Sequence, residues 1–237
     1  MGTRAVGTTI VALVVMTALA GCNDGSGNTA KPAAGTTSGS PSASAAAVKN
    51  YTAAQLKKAL IKPPAGAMDV TTGSGSYDKV LAKFSGGAAS EPVEEESSCD
   101  TLSRAQFKQI ASTPSAFVSF GQIKGFSSVL LVAIPGAEAK SAAVEPVPQA
   151  CRTTKTHVGG TTVTAKVVSD EAFDLGDGGR IVRSDETSGG VHLRSWQITF
   201  AGPGYLAMTD ITGDSVSRAD VESLARQVYR KASSTLK

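Results

Sequence analysis

The sequence predicts one α+β domain, and three observations carry that expectation. Runs that alternate apolar and polar residues are separated by Gly- and Pro-containing turns short enough to join hairpins. Helical segments open on side-chain caps, and the last shows a stripe of Val221, Leu224, Ala225, Val228, Tyr229 and Ala232 suited to lying on a sheet. The 237 residues are 41% apolar but only 5% aromatic, so a single core is feasible and must rest on Val, Ile, Leu and Ala.

The domain is expected over residues 50–237, behind two segments that take no part in it. Residues 1–21 have the pattern of a secretory signal: Arg4, then an apolar run to Ala20, then Gly21. The run is shorter than the roughly 20 residues needed to cross a bilayer as a helix. Its ending, Leu19-Ala20-Gly21-Cys22, resembles the lipobox of bacterial lipoproteins. That resemblance implies cleavage before Cys22, a diacylglycerol on the Cys22 sulfur and acylation, such as palmitate, of the new N-terminus. The other reading is ordinary secretion with a free cysteine. Residues 22–49 are almost entirely Gly, Ser, Thr, Ala and Pro and bury too little apolar surface to fold. As a flexible tether they would span about 30 Å on average.

With three cysteines in an exported chain, lipid on Cys22 leaves one pair, Cys99 and Cys151, which is expected to be bonded. Two buried thiols are the alternative; a metal site is poorer, because there is no CxxC and only His157 and His192 could complete it. A formal net charge of +3, scattered along the chain, is too weak for a nucleic-acid surface.

Along the chain, Thr52 and Gln55 have capping-box spacing ahead of Leu56, Ala59 and Leu60, and Pro63-Pro64 closes the helix. Short extended pieces are expected near Met68 to Thr72 and Lys79 to Phe84. Glu94-Glu95-Glu96 is expected to be a solvated loop, since the Asn, Asp and Gly of a calcium loop are missing. Ser103 and Gln106 repeat the capping box after Cys99. Ala116, Val118 and Phe120 alternate with Phe117, Ser119 and Gly121, and after Gly125 the run from Val129 to Ile134 predicts a strand buried on both faces. Ala137 to about Val144 predicts an Ala-rich helix broken by Pro146 and Pro148.

Thr161 to Val168 alternates as a strand with one wet face. Asp170-Glu171 and the stretch from Asp174 to Gly179 are expected to be loop, leading to a short strand at Arg180 to Arg183. This acidic loop lacks the calcium-ligand spacing and is better explained as a turn. Val191 to Phe200 and Tyr205 to Ile211 form a hairpin through Gly202-Pro203-Gly204. Val191 and Leu193 have one parity and Trp196, Ile198 and Phe200 the other, so a bulge near Arg194 or Ser195 is expected to bring both sets to one core face. The closing helix begins at Ser217 and Asp220.

The lipobox, the tether, the helix ending in Pro-Pro, the Cys99-Asp100-Thr101-Leu102 helix, the Ala-rich helix before Cys151 and the closing amphipathic helix together resemble a known family. They are similar to the extracellular sensor domain of actinobacterial PknH-type receptor kinases, which also occurs on lipoproteins. The resemblance implies a twisted antiparallel sheet carrying helices, with a cleft for an unidentified ligand. Those kinase domains carry two disulfides, whereas this chain can form one besides the lipidated cysteine.

No G-x-S-x-G elbow, H-E-x-x-H pair, Walker A loop or dinucleotide G-x-G-x-x-G is present, and no catalytic residue, cofactor or metal ligand is singled out. His192, Arg194 and Trp196 share one strand parity and form a candidate binding face; an ordinary surface histidine is the plainer reading of His192. The expectation is therefore a non-catalytic binding or sensor module, anchored by lipid to the outer face of the cytoplasmic membrane. Its partner would be a small molecule or a cell-envelope ligand. A lipid or glycolipid carrier and an unrecognised envelope hydrolase are the alternatives, the first requiring a large enclosed apolar cavity.

Overall fold

The chain lays down its sheet in two runs. A computed structural model describes residues 49–84, 99, 108–158 and 161–237. In the first run, β1 (Met68–Ser76), β2 (Pro114–Gln122) and β3 (Gly125–Val132) lie side by side. In the second, β4 (Thr153–Val158), β5 (Thr161–Phe173), β6 (Gly179–Ser188), β7 (Val191–Gly202) and β8 (Tyr205–Gly213) form a meander of consecutive hairpins. β8 then pairs with β3, giving one antiparallel eight-stranded sheet in the order β1-β2-β3-β8-β7-β6-β5-β4. Helices α1 (Ala53–Ala59), α2 (Tyr77–Phe84), α3 (Gly136–Val144) and α4 (Arg218–Thr235) pack on it, so the architecture is α+β. The hairpin between β7 and β8 turns on Gly204 at φ +85°, and a side chain at Gly202 would collide with the Tyr205 ring.

The two faces have different cores. On one, α1 and α4 cover Ala116, Val118 and Phe120 of β2, Val129 and Leu131 of β3, and Ile198 and Phe200 of β7. The predicted stripe of α4 is what they meet: Val221, Leu224, Ala225, Val228 and Ala232 are buried. Burying each Val or Leu there contributes about 1.5–3 kcal/mol. The capping box predicted at Thr52 forms, and another closes at Ser217, the predicted start of α4. Gln55 N–H donates to Thr52 Oγ1 at 3.3 Å while Thr52 N–H donates to Gln55 Oε1 at 2.9 Å; Ser217 and Asp220 exchange the same pair at 3.4 and 2.9 Å. On the other face, Ala139, Ala142 and Ala143 of α3 sit against Leu206, Met208 and Ala201, with Tyr77 of α2 beside them. Alanine brings α3 close to the sheet, and the helix needs no larger residue there.

Cys99 and Cys151 are bonded, with S–S 2.05 Å and Cα–Cα 4.9 Å, and the bridge lies beside Val147, Val167 and Val182 on the α3 face. Closing a loop of 52 positions stabilises by roughly 4 kcal/mol in the chain-entropy account. The segment carrying Cys151 is held to the sheet by Asp170 of β5, whose side chain is 1% exposed. Its carboxylate accepts from Arg180 Nε at 2.6 Å, Arg152 Nη2 at 3.2 Å and the Val147 N–H at 2.9 Å. Arg180 also donates to the Val144 carbonyl at the end of α3, at 3.2 Å. One buried charge thus joins α3, the 3-10 turn Gln149–Cys151 and strands β5 and β6.

Several elements differ from the sequence expectations. Lys79 to Phe84 is helical, because Tyr77 and Val80 bury one side of α2 and the Phe84 ring stacks edge-on against Phe117 at 5.4 Å. α1 stops at Ala59, short of Pro63, with Leu60 already extended. Asp170 and Glu171 belong to β5, whose pairing continues to Phe173, and β6 runs on to Ser188 rather than ending at Arg183. β4 was not anticipated: its alternation is of Thr, Lys and His rather than of apolar residues. The ladders through Arg194 and Ser195 are regular, so the bulge expected there is absent; Val191 and Leu193 point to the face opposite Trp196, and Val191 is 52% exposed. Register shifts instead between Val167 and Ser169 of β5 and between Met68 and Thr71 of the edge strand β1. Cys22, the tether, the three consecutive glutamates and the Ser103–Gln106 cap lie outside the described residues.

The Asp170 cluster gives a direct test. Asp170→Ala leaves Arg180 facing a cavity and the Val147 N–H without its acceptor, and is expected to cost about 3–5 kcal/mol in urea unfolding of the oxidised protein. A loss under about 1 kcal/mol would show that the cluster contributes little.

Candidate functional site

Regular pairing puts His192, Arg194 and Trp196 of β7 on the α1/α4 face, as their parity requires. They are not equivalent there. Trp196 is partly buried and packs against the core; Arg194 is half-buried; His192 is exposed, its Nδ1 3.2 Å from Thr187 Oγ1 across the hairpin. No carboxylate is bonded to His192 among the described residues, so an acid–histidine pair does not form. Arg183 of β6 stands directly across from Trp196, and Asp185 across from Arg194. Arg183 Nη2 donates to both Asp185 oxygens at 3.0 and 3.2 Å. Arg183 Nε, Arg194 Nε and Trp196 Nε1, all shielded from solvent, have no hydrogen-bond partner among the described residues.

The opposite face carries a polar group that sequence reasoning missed. Ser119, Ser128, Asp210 and Gln197 form one row across β2, β3, β8 and β7, and Thr212 and Ser195 sit side by side in the next. Asp210 is buried and accepts from Ser195 Oγ at 2.8 Å and Thr212 Oγ1 at 3.1 Å. Glu186 of β6 is buried as well, and its Oε2 has no partner among the described residues. Burial raises Asp210 to about 6 against the opposing pull of the two hydroxyls. Glu186 is raised to about 7 by burial first and by the Asp210 charge second. Between them the two carboxyls can hold a proton near neutral pH. No group of three or more metal-ligating side chains occurs among the described residues. In the sequence, Glu186 lies in the polar run Ser184-Asp185-Glu186-Thr187-Ser188, where nothing marks it as buried.

Between α3 and residues 109–113 lies a groove of about 620 Å³, open to solvent, lined by Ile110, Ala133, Ile134 and Ala142 together with Gln109, Thr113, Glu138 and Ser141. Its lining is mixed, and it is distinct from both strand faces described above.

Because the folded values of Asp210 and Glu186 exceed those of an unfolded carboxyl, the folded state keeps protons that the unfolded chain has lost. Their contribution to stability is whole below about pH 4 and is lost as pH rises through about 6 to 7. Glu186→Gln is therefore expected to stabilise the protein at pH 8, by at most about 3 kcal/mol at about 1.4 kcal/mol per pH unit of displacement, with little effect at pH 4. Urea midpoints of both proteins from pH 4 to 8 measure this, and parallel profiles would refute it.

No protein family and no curated protein matches the chain. Among solved structures, an uncharacterised protein of Mycobacterium smegmatis is similar at 14% identity with a TM-score of 0.36, over 78% of this chain and 95% of that one.

Proposed function

We propose that this chain is a lipid-anchored extracytoplasmic protein on the outer face of the cytoplasmic membrane, and that its domain is a non-catalytic ligand-binding or sensor module of the PknH-type sensor kind. The reading rests on Leu19-Ala20-Gly21-Cys22, placed behind an apolar run and ahead of a low-complexity stretch of Gly, Ser, Thr, Ala and Pro. The Cys99–Cys151 bridge supports it, since such bonds persist in oxidising compartments. The antiparallel sheet with helices on both faces is the architecture expected of such a domain. A groove that is open and of mixed polarity suits recognition of a solvent-borne group better than carriage of a lipid, which calls for an enclosed apolar cavity.

The anchor is tested by Cys22→Ser. Mass spectrometry of the detergent-extracted wild type is expected to show cleavage before Cys22 and added acyl mass, while the variant accumulates in the medium or as uncut precursor. Membrane retention of a trimmed variant would refute the anchor. Native spectra of the same extract report whether a ligand is retained.

A further inference from the structure

The stretch of the α1/α4 face that the helices leave bare carries a concentrated positive charge. Arg218, at the first turn of α4, bonds Glu171 of β5 at 2.8 Å, and this contact marks where helical cover ends. Beyond it, Arg194, Asp185, Lys166 and Thr153 form one row across β7, β6, β5 and β4. Arg183 lies one row back beside Trp196, and Lys155 one row on, opposite Thr164. Among the described residues, four cations thus share this surface with one carboxylate, Asp185, which Arg183 already engages. Lys155, Lys166 and Arg194 have no ion-pair partner among the described residues.

From this arrangement we infer that the bare face of β4–β7 binds an acidic glycan, whose carboxylate, sulfate or phosphate groups would pair with Lys155, Lys166, Arg183 and Arg194. The identification deepens the binding-module reading of the preceding section and rests on it. Three observations select the ligand class. Neighbouring strands are about 4.8 Å apart, so the cations spread over about 14 Å from β7 to β4, wider than one small anion and suited to a chain bearing several. Thr153, Thr164 and Thr187 lie between the cations, offering hydroxyls to a hydroxylated backbone. A surface made for lipid would instead pair its cations with a cluster of exposed apolar side chains; among the described residues Val168 of β5 stands alone near the cations, Val191 points to the opposite face, and Met68, Val70 and Ile123 sit at the β1 edge and the β2–β3 turn. The unpaired N–H groups of Arg183, Arg194 and Trp196 cluster at the same place, where rotation of the arginines would bring guanidinium donors to an oxyanion.

The test uses the full mature protein with dextran sulfate, neutral dextran and vesicles of phosphatidylcholine with or without phosphatidylglycerol. Vesicle retention through the lipid anchor is expected to be the same with and without phosphatidylglycerol, whereas binding is expected to dextran sulfate and not to neutral dextran, weakening as sodium chloride rises from 50 to 300 mM. Lys155→Glu with Lys166→Glu, both exposed positions, should weaken it at least 10-fold, while Lys57→Glu with Lys58→Glu on α1 should change it less than 2-fold. Arg194→Gln should give an intermediate loss, and unchanged unfolding midpoints would show that the variants are folded. Equal losses in the two lysine pairs would mean diffuse charge and would overturn the inference, as would retention that depends on phosphatidylglycerol. A compound that co-purifies equally with wild type and with the Lys155/Lys166 variant would also overturn it while leaving the binding-module reading intact. Absence of both dextran sulfate binding and any co-purifying compound would remove the two together.

Discussion

β8 is buried at all nine of its positions, and the rest of the architecture follows from covering it on both sides. A strand with one wet face needs a single layer of helices; one with none needs two. Tyr205, Ala207 and Ile211 take their cover from α1 and α4, while Leu206 and Met208 take theirs from α3. The strand's polar residues must then find partners inside. Thr209 Oγ1 donates to the Ile198 carbonyl at 3.3 Å, and Asp210 takes two hydroxyl donors from its neighbours. Cover thins away from β8, so outer strands such as β4 and β5 carry lysines and threonines where the inner ones carry valine and leucine.

What could be read from sequence was what rests on local rules. The caps at Thr52 and Ser217, the β2–β3 and β7–β8 hairpins, the Ala-rich helix and the stripe of α4 each depend on residues within a few positions of one another, and each forms. The errors lie where a distant partner decides. Ser184 to Ser188 looks like loop until β5 and β7 pair with it on both sides. Lys79 to Phe84 could have been found from Tyr77, Val80, Leu81 and Phe84 at helical spacing, had the glycines before it not suggested extended chain. The misplaced bulge came from requiring every apolar residue of β7 to face one core, whereas Val191 stands in solvent. Of the candidate site, the shared face of His192, Arg194 and Trp196 was legible because parity alone sets it. Glu186 and Asp210 were not, because burial of a carboxylate depends on what lies above the sheet.

The two faces therefore hold their charge in opposite ways. On the α3 face, carboxyl groups are shut away and shifted toward the neutral form, and a third, Asp170, stays bonded to two arginines. On the bare end of the other face, Lys155 and Lys166 stand in solvent beside the half-buried Arg183 and Arg194, with Asp185 as the carboxylate among them. A net charge of +3 conceals this separation, since the sum says nothing about which side of a sheet each charge occupies.

The single cystine has a topological outcome as well. Its loop encloses β2, β3 and α3, so two inner strands of the sheet and the helix that roofs β8 all lie on the segment between the joined sulfurs. A protease that nicks the chain anywhere within that segment severs the backbone without releasing a fragment. The halves remain covalently one molecule until a reductant reaches the bridge, which lies buried among three valines.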